Sequence, residues 1–120
     1  MNTVTTIARI LLGLLFTFAG VLPFIMTGPP PQPGLAGTFN AVFFQSHWVL
    51  FVGAAQVVIG VLLLVNHFVP IALIMLAAFL YNSFAFHATM APSALPAPFI
   101  VLVLWLIVAA QYRSRLAALT

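Results

Sequence analysis

The feature that most restricts this chain is its near lack of charge. Not one aspartate, glutamate or lysine occurs among 120 residues, and the only charged side chains are Arg9, Arg113 and Arg115. Charged residues make up 2% of the chain and hydrophobic residues 65%, whereas soluble domains are about a quarter charged. A chain with so few charges is poorly suited to water, so we expect lipid to be its main solvent.

Four apolar stretches are candidate membrane helices, at about residues 7–26, 47–65, 70–88 and 97–112. A helix needs about 20 residues to cross ~30 Å of hydrocarbon, and the fourth stretch is short by this measure. The first stretch also resembles a signal peptide, but three further stretches favour its retention as a membrane helix. The predicted fold is an all-α membrane protein, a four-transmembrane-helix bundle forming a single domain over residues 1–120.

A short interfacial helix is predicted before the second span. Residues 27–38 contain four prolines and favour an extended loop. Phe39, Val42 and Phe43 then follow at helical spacing, which is typical of a helix lying in the membrane interface. Trp48 suits the outer end of the second span, because tryptophan concentrates at membrane–water interfaces.

The arginines predict the orientation of the chain. Arg9 precedes the first span, and Arg113 and Arg115 follow the fourth. Positive residues favour the cytoplasmic side, so both termini of this multi-pass chain are expected in the cytoplasm. Three scattered arginines do not form the clustered basic face that nucleic acids require, and we exclude a nucleic-acid partner. The predicted partner is the lipid bilayer.

The polar side chains of the second and third spans are predicted to collect in the outer half of the bundle. If these spans form a hairpin that turns near His67, a residue of one span lies at the same depth as the residue of the other span for which the two residue numbers sum to about 135. This places the following residues near one another: His47, Gln56, Tyr81, Asn82, Ser83 and His87.

Several roles are open for this cluster. The amides of Gln56 and Asn82 can bond between helices, because an unpaired amide is costly in hydrocarbon. They can instead line an apolar slot for a quinone, together with Tyr81 and several phenylalanines. His47 and His87 can bond loop carbonyls or headgroups, or else ligate a metal or haem; we rank haem well below quinone and expect no metal. Without carboxylates or cysteines, no catalytic residue is predicted.

Small residues form two stripes on which helices can pack closely. Gly13, Thr17 and Gly20 recur on one face of the first span, and Gly53 and Gly60 share a face of the second span with Gln56. We expect packing within the chain, with a homo-oligomer interface as the alternative for the first span.

Three segments resemble the DoxX family of small membrane proteins, and the likeness extends over nearly the whole chain. They are ARILLGLLF at residues 8–16, GVLLLVNHFVPIAL at 60–73 and NSFAFH at 82–87. The resemblance implies a four-helix protein of the bacterial inner membrane. Relatives include a subunit of an archaeal thiosulfate:quinone oxidoreductase, and others are linked to membrane redox or oxidative-stress complexes.

The chain departs from the pattern of this family at two positions. Relatives often have a glutamate where Gln56 stands and an arginine where His67 stands. A glutamine cannot carry a proton, so the substitution favours an accessory or packing subunit of a redox complex, more plausibly without independent activity than as an enzyme. The alternatives are a quinone-interacting subunit of an oxidoreductase, such as thiosulfate:quinone oxidoreductase, and a small transporter.

Overall fold

The chain folds into α-helices joined by short connections. A computed structural model describes residues 3–26, 28, 33–90, 92 and 95–118, and these contain no strand. The helices are α1 Thr3–Ile25, α2 Gly34–Gln45, α3 Trp48–Leu64, α4 Val69–Met90, α5 Pro96–Gln111 and α6 Arg113–Ala118.

The four long helices pack in a ring. α1 packs most extensively against α3 and also contacts α5, while α4 contacts both α3 and α5. α2 lies against α3 and α4. Leucine, isoleucine and valine side chains fill the centre of the ring, where they are excluded from solvent and lipid alike. The largest fully buried ones are Leu12, Ile59, Leu63, Leu73, Leu76 and Val108.

Two helices, α1 and α4, are each long and apolar enough to cross a membrane. α2 and α3 meet the same criteria only as a pair, which is bent by 86° at its junction. α5 is apolar but has only 16 residues. By length and composition, two of the described helices can therefore span a membrane, or three if the bent pair counts as one span.

The helix before the second predicted span is longer than the sequence suggested. It begins at Gly34 rather than Phe39, so the predicted loop at residues 27–38 ends earlier, directly after Pro33. Pro33 has an extended ψ of 161° and lies directly before α2. α2 itself contains no proline that would interrupt it. Residues 27 and 29–32 of that loop lie outside the described part. α6 is an additional helix that the sequence analysis did not predict.

The connection between α3 and α4 is a helix-terminating turn of the Schellman type. Asn66 has a φ of 56°, a left-handed conformation that asparagine tolerates better than most residues. The His67 N–H bonds the Leu62 carbonyl at 3.1 Å, and the Asn66 N–H bonds the Leu63 carbonyl at 3.3 Å. This turn returns the chain antiparallel to α3 with only four residues between the helices.

Candidate functional site

Aromatic rings from three helices surround a cavity of about 510 Å³. Phe39 and Phe43 lie one turn apart on α2, and their ring centroids are 5.4 Å apart. Phe39 also contacts Phe86 of α4 at 5.2 Å, and Phe43 contacts Trp48 of α3 at 5.1 Å. We call this cavity, lined by Phe39, Phe43, Trp48 and Phe86, the aromatic groove. Its volume lies within the ~300–1,000 Å³ of small-molecule sites.

The sharp turn between α2 and α3 creates the aromatic groove. His47 adopts a φ of 64°, and the chain bends by 86° there. The Ser46 hydroxyl accepts a hydrogen bond from the Trp48 N–H at 3.3 Å, which gives the first main-chain N–H of α3 a partner, while the N-cap residue His47 forms no side-chain cap. The bend folds α2 back beside α3 and α4, so the aromatic face of α2 covers the end of α4.

Asn82 supplies the amide in the wall of the aromatic groove. Its Nδ2 donates to the Ala78 carbonyl at 2.8 Å, one turn earlier on α4. Thr89, also in this wall, donates to the Ala85 carbonyl at 2.7 Å. Since Oδ1 of Asn82 accepts no hydrogen bond from any described residue, the groove offers one amide oxygen and one remaining N–H to a ligand.

Gln56 and Ser83 line a separate, smaller cavity of about 160 Å³ inside the helix ring. The other walls are apolar and include Phe16 and Phe79. Phe79 also lines the aromatic groove, so the two cavities are neighbours that share this residue. No described residue forms a hydrogen bond with the Gln56 side chain. The predicted polar cluster is divided between the two cavities, because Asn82 lines the aromatic groove and Gln56 lines the smaller one.

The remaining residues of the predicted cluster lie apart from both cavities. Tyr81 is 77% exposed on the outside of α4. Nδ1 of His87 lies 2.7 Å from the Ser83 carbonyl oxygen, which fixes Nδ1 as a hydrogen-bond donor. His47 lines a third cavity, of about 480 Å³, with Pro23 of α1. No group of three or more histidine, cysteine or acidic side chains that could hold a metal occurs among the described residues.

The two small-residue stripes face each other between α1 and α3. A Cβ atom added to Gly53 would lie 2.6 Å from the Gly20 carbonyl oxygen, and one added to Gly13 would lie 3.0 Å from the Gly60 carbonyl oxygen. Thr17 lies between the two contacts, and its buried hydroxyl has no hydrogen-bond partner among the described residues. The stripes bring the two backbones into direct contact, which larger side chains would prevent.

Arg9 has a structural role that its position in the sequence did not indicate. The side chain is only 8% exposed. Its Nη1 donates to the carbonyl oxygens of Leu63 and Leu64, the latter at 3.2 Å. These carbonyls belong to the last turn of α3, which lacks partners within its own helix. Arg9 therefore caps α3, and its buried Nε has no hydrogen-bond partner among the residues that the structure describes.

Side chains of the α3–α4 turn and of the junction between α5 and α6 lie at the same end of the helix ring as this cap. The Tyr112 hydroxyl donates to Oδ1 of Asn66 at 2.9 Å, joining the end of α5 to the α3–α4 turn. The Arg115 guanidinium carbon lies 5.6 Å from the centre of the Tyr112 ring, within cation–π range. All three arginines thus belong to one end of the helix ring.

Comparison with known proteins finds no similarity at any of three levels. No protein-family model matches the chain, no curated protein sequence matches it, and no solved structure matches its fold.

Proposed function

We propose that this chain is a DoxX-like subunit of a bacterial inner-membrane redox or oxidative-stress complex, with no turnover of its own. In this proposal α1, α3, α4 and α5 all cross the bilayer, and α2 lies in the outer interface. α5 can cross despite its length if the bilayer thins beside it or α6 extends it. Both termini lie in the cytoplasm, because positively charged ends favour that side.

The observation that carries the accessory role is the chemistry of the small interior cavity. Its two polar residues, Gln56 and Ser83, carry an amide and a hydroxyl, and its other lining residues are apolar. Such groups form hydrogen bonds but do not ionise, and an ionisable group is the usual mark of proton chemistry inside a membrane. The chain therefore suits a role in holding or positioning a partner that carries out the redox chemistry.

Purification in mild detergent from native membranes tests this role. We expect a redox-active membrane protein to copurify in a fixed ratio, and quinone reduction to be measurable in the complex and absent from the isolated chain. A solitary chain at native expression would contradict the accessory role. Quinone reduction by the isolated chain would contradict the lack of turnover.

The aromatic groove favours a second candidate function, a quinone-interacting subunit. It offers ring faces for stacking and the Asn82 amide for one quinone carbonyl. The two tryptophans provide a direct assay, because Trp48 lines the groove whereas Trp105 donates to the Leu73 carbonyl between α4 and α5. In a Trp105→Phe background, added menadione should quench the fluorescence of Trp48.

Matched variants distinguish binding in the groove from partitioning of menadione into the micelle. Phe43→Ala and Asn82→Leu should each weaken quenching about threefold to tenfold, the effect of losing one stacking or hydrogen-bond contact. Phe51→Ala is the control, because Phe51 is 78% exposed and does not line the groove. Gln56→Leu should have no effect, since Gln56 does not line the groove. Equal quenching in all four variants would reject the quinone site.

A further inference from the structure

A large cavity lies at the end of the ring that carries the arginines. It has a volume of about 780 Å³ and opens between the α3–α4 turn and the junction of α5 with α6. We call it the arginine-end cavity and define it by five of the polar residues that line it: Asn66, His67, Gln111, Ser114 and Arg115. Neither the aromatic groove nor the interior cavity shares a residue with it.

The chemistry of this cavity matches an anion. Arg115 presents a permanently charged guanidinium whose planar N–H groups suit phosphate oxygens. His67, Gln111 and Ser114 can each donate a hydrogen bond. The Tyr112 hydroxyl donates to Oδ1 of Asn66, and the two N–H groups of the Asn66 amide can donate to an anion. No side-chain carboxylate can compete for Arg115, because the chain contains neither aspartate nor glutamate.

The cavity continues into an apolar strip that suits a lipid tail. Phe68 lies in its wall with 59% of its surface exposed, and Ile71 follows on α4 at 49%. Ile74, also 49% exposed, lies three residues after Ile71 and therefore on the same face of α4. A ligand with a phosphate head and a hydrocarbon tail could contact the donors and this strip at once, which a free phosphate ion could not.

We infer that the arginine-end cavity binds the phosphate group of an anionic phospholipid. Basic pockets between helices at the cytoplasmic surface are known to recognise such headgroups. A zwitterionic headgroup would also bring a quaternary ammonium. The chain has no side-chain carboxylate to neutralise that cation, and Arg115 already occupies a face of the Tyr112 ring. The site should therefore prefer phosphatidylglycerol to phosphatidylcholine. This inference is independent of the proposed redox role.

Lipid retention by the full chain tests the inference. The protein is reconstituted in nanodiscs of phosphatidylglycerol and phosphatidylcholine, released into the gas phase, and its retained lipids are counted by native mass spectrometry. Arg115→Gln should lower retention of phosphatidylglycerol about tenfold, as expected for loss of a charged hydrogen bond. Arg113→Gln is the matched control. It removes the same charge from the same short helix, but Arg113 does not line the cavity, so less than a twofold change is expected.

Each alternative outcome has a defined meaning. Equal losses in the two variants would overturn the inference, because net charge alone would then explain retention. Equal retention of both lipids by the unsubstituted chain would overturn it as well. If millimolar inorganic phosphate displaces phosphatidylglycerol completely, the phosphate site remains but the lipid assignment is overturned. Circular dichroism of both variants checks that helix content is unchanged, so that a loss of retention reports on the cavity.

Discussion

Arg9 and Leu63 join the first turns of α1 to the last turn of α3 through a buried hydrogen bond from the guanidinium to the main-chain carbonyl. The same nitrogen reaches Leu64, so one cation serves two carbonyls at the negative end of a helix. In a chain without carboxylate side chains, a helix end is the natural partner for a buried cation. This contact ties the two helices together at the end where the arginines gather.

Replacing Arg9 should destabilise the protein. Arg9→Gln removes the charged donor from the Leu63 and Leu64 carbonyls and leaves Leu63 with only its 3.3 Å bond from the Asn66 N–H, at a cost of about 1–3 kcal/mol. We expect a lower midpoint when unfolding in mixed micelles is followed by circular dichroism.

Arg113→Gln is the control for Arg9→Gln, because it removes an equal charge from an exposed position. It should leave the midpoint unchanged. Equal shifts in the two variants would mean that net charge, rather than the α3 cap, explains the effect of Arg9.

The contact between α1 and α3 predicts a strong effect of a single added methyl group. Gly53→Ala would place Cβ 2.6 Å from the Gly20 carbonyl oxygen, so the helices must separate. Overpacking of this kind typically costs about 1–3 kcal/mol. Gly28→Ala makes the same chemical change where no atom lies within 4 Å, and it should be neutral. Thermal unfolding in detergent compares the two, and equal stability would reject direct backbone contact.

The hydrogen bond from Tyr112 to Asn66 can be measured by a double-mutant cycle. Tyr112→Phe removes the donor, and Asn66→Gly removes the acceptor while permitting the positive φ of 56°. We expect a coupling free energy of about 0.5–1.5 kcal/mol from unfolding of the two single variants and the double variant. Additive effects would show that the bond contributes nothing to holding α5 against the turn.

Much of the helix arrangement was predictable because apolar length and breaker residues are local signals. The third predicted span, at about residues 70–88, corresponds to α4, which is observed at Val69–Met90. The fourth, at 97–112, corresponds to α5, which is observed at Pro96–Gln111. Pro70 and Pro96 both suit a first helical turn, where a missing N–H costs little. The start of α2 was misplaced because Gly34 and Gly37, which are poor helix formers, follow directly on the proline-rich stretch and made its first turn read as loop.

The candidate site was less predictable because the sequence does not say which face of a helix meets which neighbour. Asn82 and Ser83 are adjacent, but successive residues point about 100° apart around a helix. Asn82 consequently lines the aromatic groove, whereas Ser83 lines the interior cavity with Gln56. Arg9 was interpreted as a topological charge for a similar reason. Spacing along the chain did not reveal that its side chain turns inward towards α3.

The placement of the termini on one side of a membrane is the central claim, and cysteine labelling tests it most directly. The natural chain has no cysteine, so single substitutions give clean labelling sites. In intact spheroplasts, a membrane-impermeant maleimide should label Ser46→Cys, at the α2–α3 bend. It should label Thr3→Cys and Ser114→Cys only after the membrane is permeabilised. Labelling of Ser46→Cys and Ser114→Cys from the same side would contradict the proposed four-span topology.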